Sequence, residues 1–357
     1  MRMLAEYRSP PAFHAGKQVI RLGYVPLVDS APLLVAEREG LFAKRDLDVR
    51  LSREPGWASI REKLLYGEID AAQCLGGLVL ALNYGISCQP KRALVPLILN
   101  ANGNAITFSS SITPADLENT AALQKFLNTR SPYRALTLAT VHPFSSHRTL
   151  LHQWSNQRGL PTEGNVNIIY LPPPIAPRAL AAGTIDAFCV GEPWGSHAIL
   201  SGHGWCAATS VDLDNGHPEK VLAVSADFEA TRPDDTVALT AALREACALC
   251  DKEYYRPQLI KLLHSVARLG TTAESIANSL GSKFRFTASG PGRPVPGFHL
   301  FSGDNINRPS ADKASWIVSG MRQTGLLDSS RLHGLTEVFR TDIYDAASAT
   351  SAALAAN

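Results

Sequence analysis

Four side chains have the chemistry to hold a small planar anion: Trp57, Asn104, His147 and Lys220. Such an anion needs N–H donors in its plane, one positive charge and a flat apolar lid. Amide and imidazole groups supply donors, a lysine supplies the charge, and a helix N-terminus adds a favourable dipole. Trp57 follows Pro55-Gly56 in EPGWAS and opens a helix. Its indole either emerges at a strand's carboxyl end, where α/β proteins bind ligands, or packs the core. Asn104 sits in the Asn/Gly turn of NANGNAITFSS, either offering its amide or only shaping the turn. His147 lies just inside a helix start, so its ring either joins the helix dipole at a ligand or rests on the surface. Lys220, in GHPEKVL, is either a ligand cation or a solvated lysine.

Catalytic signatures are missing. There is no GxSxG elbow, no Walker A loop, no GxGxxG after a strand and no HExxH. His142, His147 and His152 are spaced by five, which does not align them on one helix face for a metal. Cys247 and Cys250 form a lone CxxC inside a helical pattern, without the second ligand pair a zinc site needs. Most of the six cysteines sit in apolar surroundings and read as small core residues. No reaction, metal or cofactor emerges, and a binding protein leads over an enzyme.

These residues need a scaffold. The chain has 357 residues, enough for about two domains. Hydrophobic residues at 45% and charged residues at 18% exclude global disorder. Lys+Arg 34 against Asp+Glu 32 leaves +2, which argues against a nucleic-acid binder. No apolar run is long enough for a membrane span. Glu6, Tyr7 and Arg8 interrupt any leader-like run, so the sequence predicts no signal peptide and a cytoplasmic protein.

Strands are expected at 19–25, 47–51, 136–140, 166–170 and from 221. Helices are expected from Ala31 to Gly40, from Ser145 or Ser146 to Arg158, over 233–265 and over 311–326. Residues 284–300 read as a Gly/Pro-rich loop, and the Ala/Ser-rich end from Ala346 as frayed. YGEIDAA at 66–72 and AGTIDAF at 182–188 share Gly-x-Ile-Asp-Ala. A helix-closing Gly, a short strand and an Asp beside a cleft, used twice, suggest two lobes of similar build.

Taken in order, RLGYVPLVDSAPLLVAEREGLFAKRDLDV, REPGWASIREKLLYGEIDAAQ, NANGNAITFSS, FCVGEPWG and HPEKVLAVSADF resemble the nitrate/bicarbonate-binding proteins of bacterial ABC transporters, and the soluble nitrate/nitrite sensor related to them. The likeness runs from about residue 20 to 327. It implies an α/β type II periplasmic-binding-protein fold with an anion cleft between two lobes. Lobe I would comprise 19–108 and 222–335, and lobe II 109–221, with an N-terminal extension at 1–18 and a C-terminal tail at 336–357. The family's anion ligands fall on Trp57, Asn104, His147 and Lys220, with Gly191 in a cleft-wall segment. The amide position is Gln in some relatives. The bicarbonate branch looks different at the cationic position and recruits calcium, so Lys220 favours nitrate or nitrite. The sensor branch implies a cytoplasmic protein that releases an RNA-binding antiterminator partner when its anion arrives. The alternative is the periplasmic nitrate-binding component of a transporter. A thiamin-pyrimidine enzyme on the same fold would need its own cysteine and histidine cluster, which is not seen.

Overall fold

The computed structural model describes residues 18–129, 135–159, 166–265, 269–327 and 334–356. The alternating, β-branched opening forms β1 (Ile20–Tyr24) and turns at Pro26 into α1 (Ala31–Arg38). Then follow β2 (Val49–Arg53), α2 (Trp57–Leu65), β3 (Ala71–Leu75), α3 (Gly76–Tyr84), β4 (Ala93–Ile98) and the two-residue β5 (Ala101–Asn102). The second lobe comprises β6 (Asn104–Ser109), α4 (Thr120–Thr129), β7 (Leu136–Thr140), α5 (Ser146–Gln157), β8 (Val166–Tyr170), α6 (Ala176–Ala181), β9 (Ala187–Gly191), α7 (Trp194–Leu200), β10 (Gly204–Thr209) and α8 (Ser210–Asp214). The chain returns through β11 (Lys220–Ser225), α9 (Ala226–Thr231), α10 (Pro233–Cys250), α11 (Arg256–Ser265) and α12 (Ala273–Leu280). Short strands β12 (Lys283–Phe284), β13 (Arg293–Pro294) and β14 (His299–Leu300) precede α13 (Asp304–Asn307), α14 (Ala311–Gln323), α15 (Leu335–Val338) and α16 (Thr341–Ala356).

Two five-stranded sheets result, ordered β2-β1-β3-β11-β4 and β10-β6-β9-β7-β8. In each, one strand supplied by the other crossing runs antiparallel between its neighbours: β11 in lobe I and β6 in lobe II. Reading the second order backwards superimposes β1 on β7, β3 on β9 and β11 on β6. Each lobe is therefore the α/β unit that the opening β-α-β pattern predicts. In lobe I, Leu22, Leu97 and Leu222 bury one sheet face under α1 and α10. Cys74, Val221 and Ala223 bury the other with Ile60, Leu78 and Ile317.

The repeated Gly-x-Ile-Asp-Ala does the same work twice. Gly67 and Gly183 take φ of +70° and +67°, a left-handed conformation that a Cβ would strain. Asp70 accepts the Arg21 N–H at 2.7 Å, and Asp186 accepts the Thr137 N–H at 2.7 Å. Both carboxylates tie down the amino end of a central strand. That end faces away from the cleft, so the expectation that these aspartates flank it is corrected.

Three further expectations change. The first crossing comes before Asn104, because β6 pairs wholly within the second sheet; the predicted boundary at 108/109 cut that strand off from its partners. The C-terminal tail is part of lobe I: Phe339 bridges Val95, and Ile343, Tyr344 and Ala347 are buried. An Ala-rich amphipathic stretch reads as frayed only until a partner face is known. The long helix at 233–265 is two helices, α10 and α11, separated by a short 3-10 turn. The 284–300 segment carries Phe284, Phe286 and Phe298, which pack against Ala105 and Cys206 of lobe II. The N-terminal extension falls almost entirely outside the described residues. No described helix is long and apolar enough to cross a membrane.

Candidate functional site

The lobes are joined by two antiparallel crossings. Leu99 N–H donates to Lys220 O (2.7 Å), Glu219 N–H to Asn100 O (3.0 Å) and Asn102 N–H to His217 O (3.3 Å). β14 adds a third strand, pairing His299 with Asn102. Lys220 and Asn104 begin β11 and β6, equivalent positions in the two sheets, so both side chains leave the hinge beside one another. The N-terminus of α1 brings Asp29 from lobe I, and the N-terminus of α5 brings Ser146 and His147 from lobe II. Ser145, rather than Ser146, caps α5, its Oγ accepting the Arg148 N–H. That leaves the Ser146 hydroxyl free to point at the hinge.

At the centre lies the carboxylate of Glu219. Asn104 Nδ2 donates to its Oε2 at 2.8 Å, and the Ser146 hydroxyl donates to the same oxygen. Lys220 Nζ bonds its Oε1, with His147 Nε2 at 3.5 Å from that oxygen and His217 Nδ1 at 3.7 Å from the other. Lys220 Nζ also lies 3.5 Å from Asp29 Oδ2 and 5.5 Å from the centre of the Trp57 ring. Asn100 Nδ2 donates to Asp29 Oδ1 at 2.7 Å and sits 3.2 Å from His299 Nε2. Trp316, on α14, stacks on His217 at 5.0 Å and anchors its indole N–H on Asp214 of lobe II at 2.6 Å.

The electrostatics follow from burial. Asp29, His147, His217, Glu219, Lys220 and His299 are all sealed from solvent. Burial alone lowers an ammonium's pKa, but Asp29 and Glu219 outweigh it and raise that of Lys220. Burial likewise works against the Glu219 charge, and Lys220 with the two histidines overcomes it, holding Glu219 below the usual carboxylate range. For Asp29 burial wins over Lys220, and its pKa is pushed up to about 6. Burial presses His147 and His299 down to about 3, so both rings are neutral at pH 7 and each keeps one N–H. Two carboxylates against one ammonium leave the cluster with one net negative charge at neutral pH.

Several buried groups here have no hydrogen-bond partner among the described residues: Trp57 Nε1, both nitrogens of His147, His217 Nε2, His299 Nδ1 and Gln73 Nε2, together with the acceptors Asp29 Oδ2 and Asn104 Oδ1. Orphaned buried donors are costly, and native proteins rarely keep them without a partner. The N–H groups among them, with the Trp57 ring beside the Lys220 ammonium, suit a ligand that accepts hydrogen bonds.

The structure brings the five expected residues together. Trp57 lies beside Lys220 and packs in the apolar cluster with Ile60 and Leu78, so the core-packing reading of it holds. His147 is buried rather than on the surface, and Lys220 is fully buried rather than solvated. Gly191 pairs with Asn104 across the β6–β9 ladder, and a Cβ there would come within 2.8 Å of Asp29 Oδ2. Two of these polar groups already have partners. The charge of Lys220 is not free, because Asp29 and Glu219 neutralise it. The Asn104 amide is engaged by Glu219. Asp29, Asn100, Ser146, His217, Glu219 and His299 were missed as site residues. Glu219 was adjacent to a chosen residue, and its signal was a charged pair at a predicted crossing. His299 arrives from 199 residues beyond Asn100, and nothing local announces it.

The profile of the NMT1-like family matches residues 14–264. The chain is 34% identical over 86% of its length to the nitrate import ATP-binding protein NrtC of Synechocystis sp. (strain ATCC 27184 / PCC 6803 / Kazusa), covering 46% of that protein. It is 36% identical over 86% of its length to the bicarbonate transport ATP-binding protein CmpC of the same organism, again covering 46%. The chain thus spans about half the length of these curated relatives. Its fold matches the crystal structure of the periplasmic nitrate-binding protein NrtA from Synechocystis PCC 6803, with a TM-score of 0.85, 24% identity, and coverage of 93% of this chain and 88% of that one. The two-lobed α/β architecture and the family profile agree, and the chain belongs to the NMT1-like family, close to the nitrate- and bicarbonate-binding proteins of ABC transporters.

Proposed function

We propose that this protein binds nitrate or nitrite, held at the hinge between the two lobes. One observation carries the reading: donors from both lobes and both crossings converge on a single bent, singly charged O–C–O group at Glu219. Asn104, Ser146, His147 and Lys220 therefore already form a receptor for a planar oxyanion, with the Trp57 ring alongside the Lys220 ammonium. Nitrate and nitrite carry no proton at neutral pH and accept hydrogen bonds only, which matches this donor set. Tetrahedral sulfate does not fit a flat site. Calorimetry with nitrate, nitrite, bicarbonate and sulfate tests the reading. We expect single-site heat from nitrate or nitrite and none from sulfate at equal concentration. Bicarbonate binding alone would transfer the protein to the other branch of relatives.

Two roles use this binding step. The relatives named for nitrate import and nitrate binding support a solute-binding unit that serves an import system. The sensor role, with cytoplasmic location and an RNA-binding antiterminator released on nitrate binding, rests on the sequence resemblance. Its support in the geometry is the hinge, where an anion can bias two lobe arrangements and so the affinity of a partner that reads one of them. Gel filtration separates the roles. Co-elution with the antiterminator that millimolar nitrate splits supports the sensor, and no complex in either condition leaves the import role.

A further inference from the structure

We propose that the Glu219 carboxylate occupies the oxyanion subsite itself, so that nitrate or nitrite binds by displacing a built-in competitor rather than by entering beside it. This deepens the proposed function and rests on it for the identity of the ligand, but not for the self-occupied subsite.

Three observations support displacement. First, the chemistry matches. A carboxylate is a flat group with two oxygens sharing one negative charge, as nitrite is, and nitrate adds a third oxygen in the same plane. Asn104, Ser146, Lys220 and the two histidines lie around Glu219 as they would around either anion. Second, simple addition is opposed by charge. An anion joining Asp29 and Glu219 would set three negative groups against the one ammonium of Lys220, all buried. Exchange keeps two against one. Third, Glu219 stands beside an opening. It lines a narrow cleft at the junction of the lobes, together with Gly77, Phe144, Ser146, Thr149 and Trp316. Its backbone stays fixed by the Glu219 N–H to Asn100 O bond, so side-chain rotation suffices and β11 keeps its register.

A tethered competitor lowers apparent affinity by the fraction of molecules in which it has stepped aside. If that fraction is roughly 1–10%, removing the competitor strengthens binding about ten- to a hundredfold. It also sets selectivity, since an anion must compete with a carboxylate for donors placed to receive one.

The test compares wild type, Glu219→Gln and Glu219→Ala. Gln keeps the shape and loses the charge, and Ala also empties the subsite. Nitrate affinity is read by calorimetry, and formate, an untethered carboxylate, is assayed by thermal shift. We expect both variants to bind nitrate at least tenfold more tightly than wild type. We expect formate to raise the melting temperature of Glu219→Ala and leave wild type unmoved. If wild type binds nitrate and neither variant binds it more tightly, displacement is overturned while the nitrate reading stands. If wild type gives no nitrate heat but Glu219→Ala takes up formate, displacement stands and the nitrate reading falls. If neither wild type nor either folded variant takes up nitrate or formate, both are overturned. Glu219→Gln guards against a fold failure in Ala, its far-ultraviolet circular dichroism being compared with wild type.

Discussion

The two lobes are nearly the same object at their outer ends and different objects where they meet. At the outer ends, Arg21 and Thr137 N–H groups bond Asp70 and Asp186 across the same separation of 49 residues. Ser225 and Ser109 N–H groups then bond the carbonyls of those aspartates, both at 2.9 Å. At the inner ends the equivalence of position survives and the chemistry does not. Lys220 of β11 stands where Asn104 of β6 stands. Asp29 approaches from the start of α1, and Ser146 with His147 from the start of α5. Leu75 closes β3 where Gly191 closes β9. Scaffold is repeated, and the site is made of the positions that break the repeat. The candidate site therefore lies at the carboxyl ends of the parallel strands β3 and β9, beside the starts of the antiparallel β11 and β6, where open α/β sheets bind ligands.

The largest test of that asymmetry sets Lys220 against its counterpart. Lys220→Ala leaves two buried carboxylates without their cation and should cost about 3–5 kcal/mol of stability, as well as nitrate binding. Asn104→Ala removes one donor from a carboxylate with other partners and should cost about 1–3 kcal/mol. Equal melting temperatures for the two variants would break the comparison. Glycines provide the next test. Gly191→Ala forces a methyl against Asp29 and Leu27, and should weaken nitrate binding roughly tenfold, about 1.4 kcal/mol. Gly183→Ala, on the outer turn at φ +67° with open space around it, should cost about 1–2 kcal/mol of stability and leave nitrate affinity unchanged.

Acidity sharpens the picture further. Asp29 faces Lys220, Glu219, Asn100 and His299, and exchange of the Glu219 carboxylate for a bound anion leaves the negative charge beside it unchanged. Although burial pushes the Asp29 pKa up to about 6, nitrate affinity should therefore stay within roughly threefold between pH 8 and 5. A rise of roughly tenfold or more as pH falls through 6, abolished in Asp29→Asn, would mean that the anion adds its charge beside Glu219 and would contradict exchange. The smallest effect is at Glu192, buried in lobe II beside Thr107 and accepting the Ser196 N–H at 3.1 Å. Burial pushes its pKa up to about 7, above the unfolded value. Its stabilising contribution is complete below about pH 4.5 and is lost as pH rises through 7. Glu192→Gln should therefore gain about 1 kcal/mol over wild type at pH 8 and nothing at pH 5, by chemical denaturation.

Legibility divided along the same line as the lobes. β1, β7 and β8 were readable because alternation of β-branched residues is a local signal. The repeat was readable because identical turns need identical residues. Trp57, His147 and Lys220 were legible as candidates from residue type and position at element starts. Their partners were not, since Asp29, Glu219 and His299 look like ordinary polar residues until the hinge folds them together. The state of Lys220 was misjudged for that reason: charge balance in a buried cluster is a property of all its members. The C-terminal helix α16 was misread because its value lies in the face of β4 and α10 that it covers.

The most direct measurement is a crystal structure of the protein grown in saturating nitrate. The account predicts one planar anion at the hinge, within hydrogen-bond reach of Lys220 Nζ and the His147 ring, with the Glu219 side chain turned toward the cleft lined by Trp316. Nitrate bound away from the hinge would contradict the account. So would Glu219 still seated on Lys220 with no anion between the lobes.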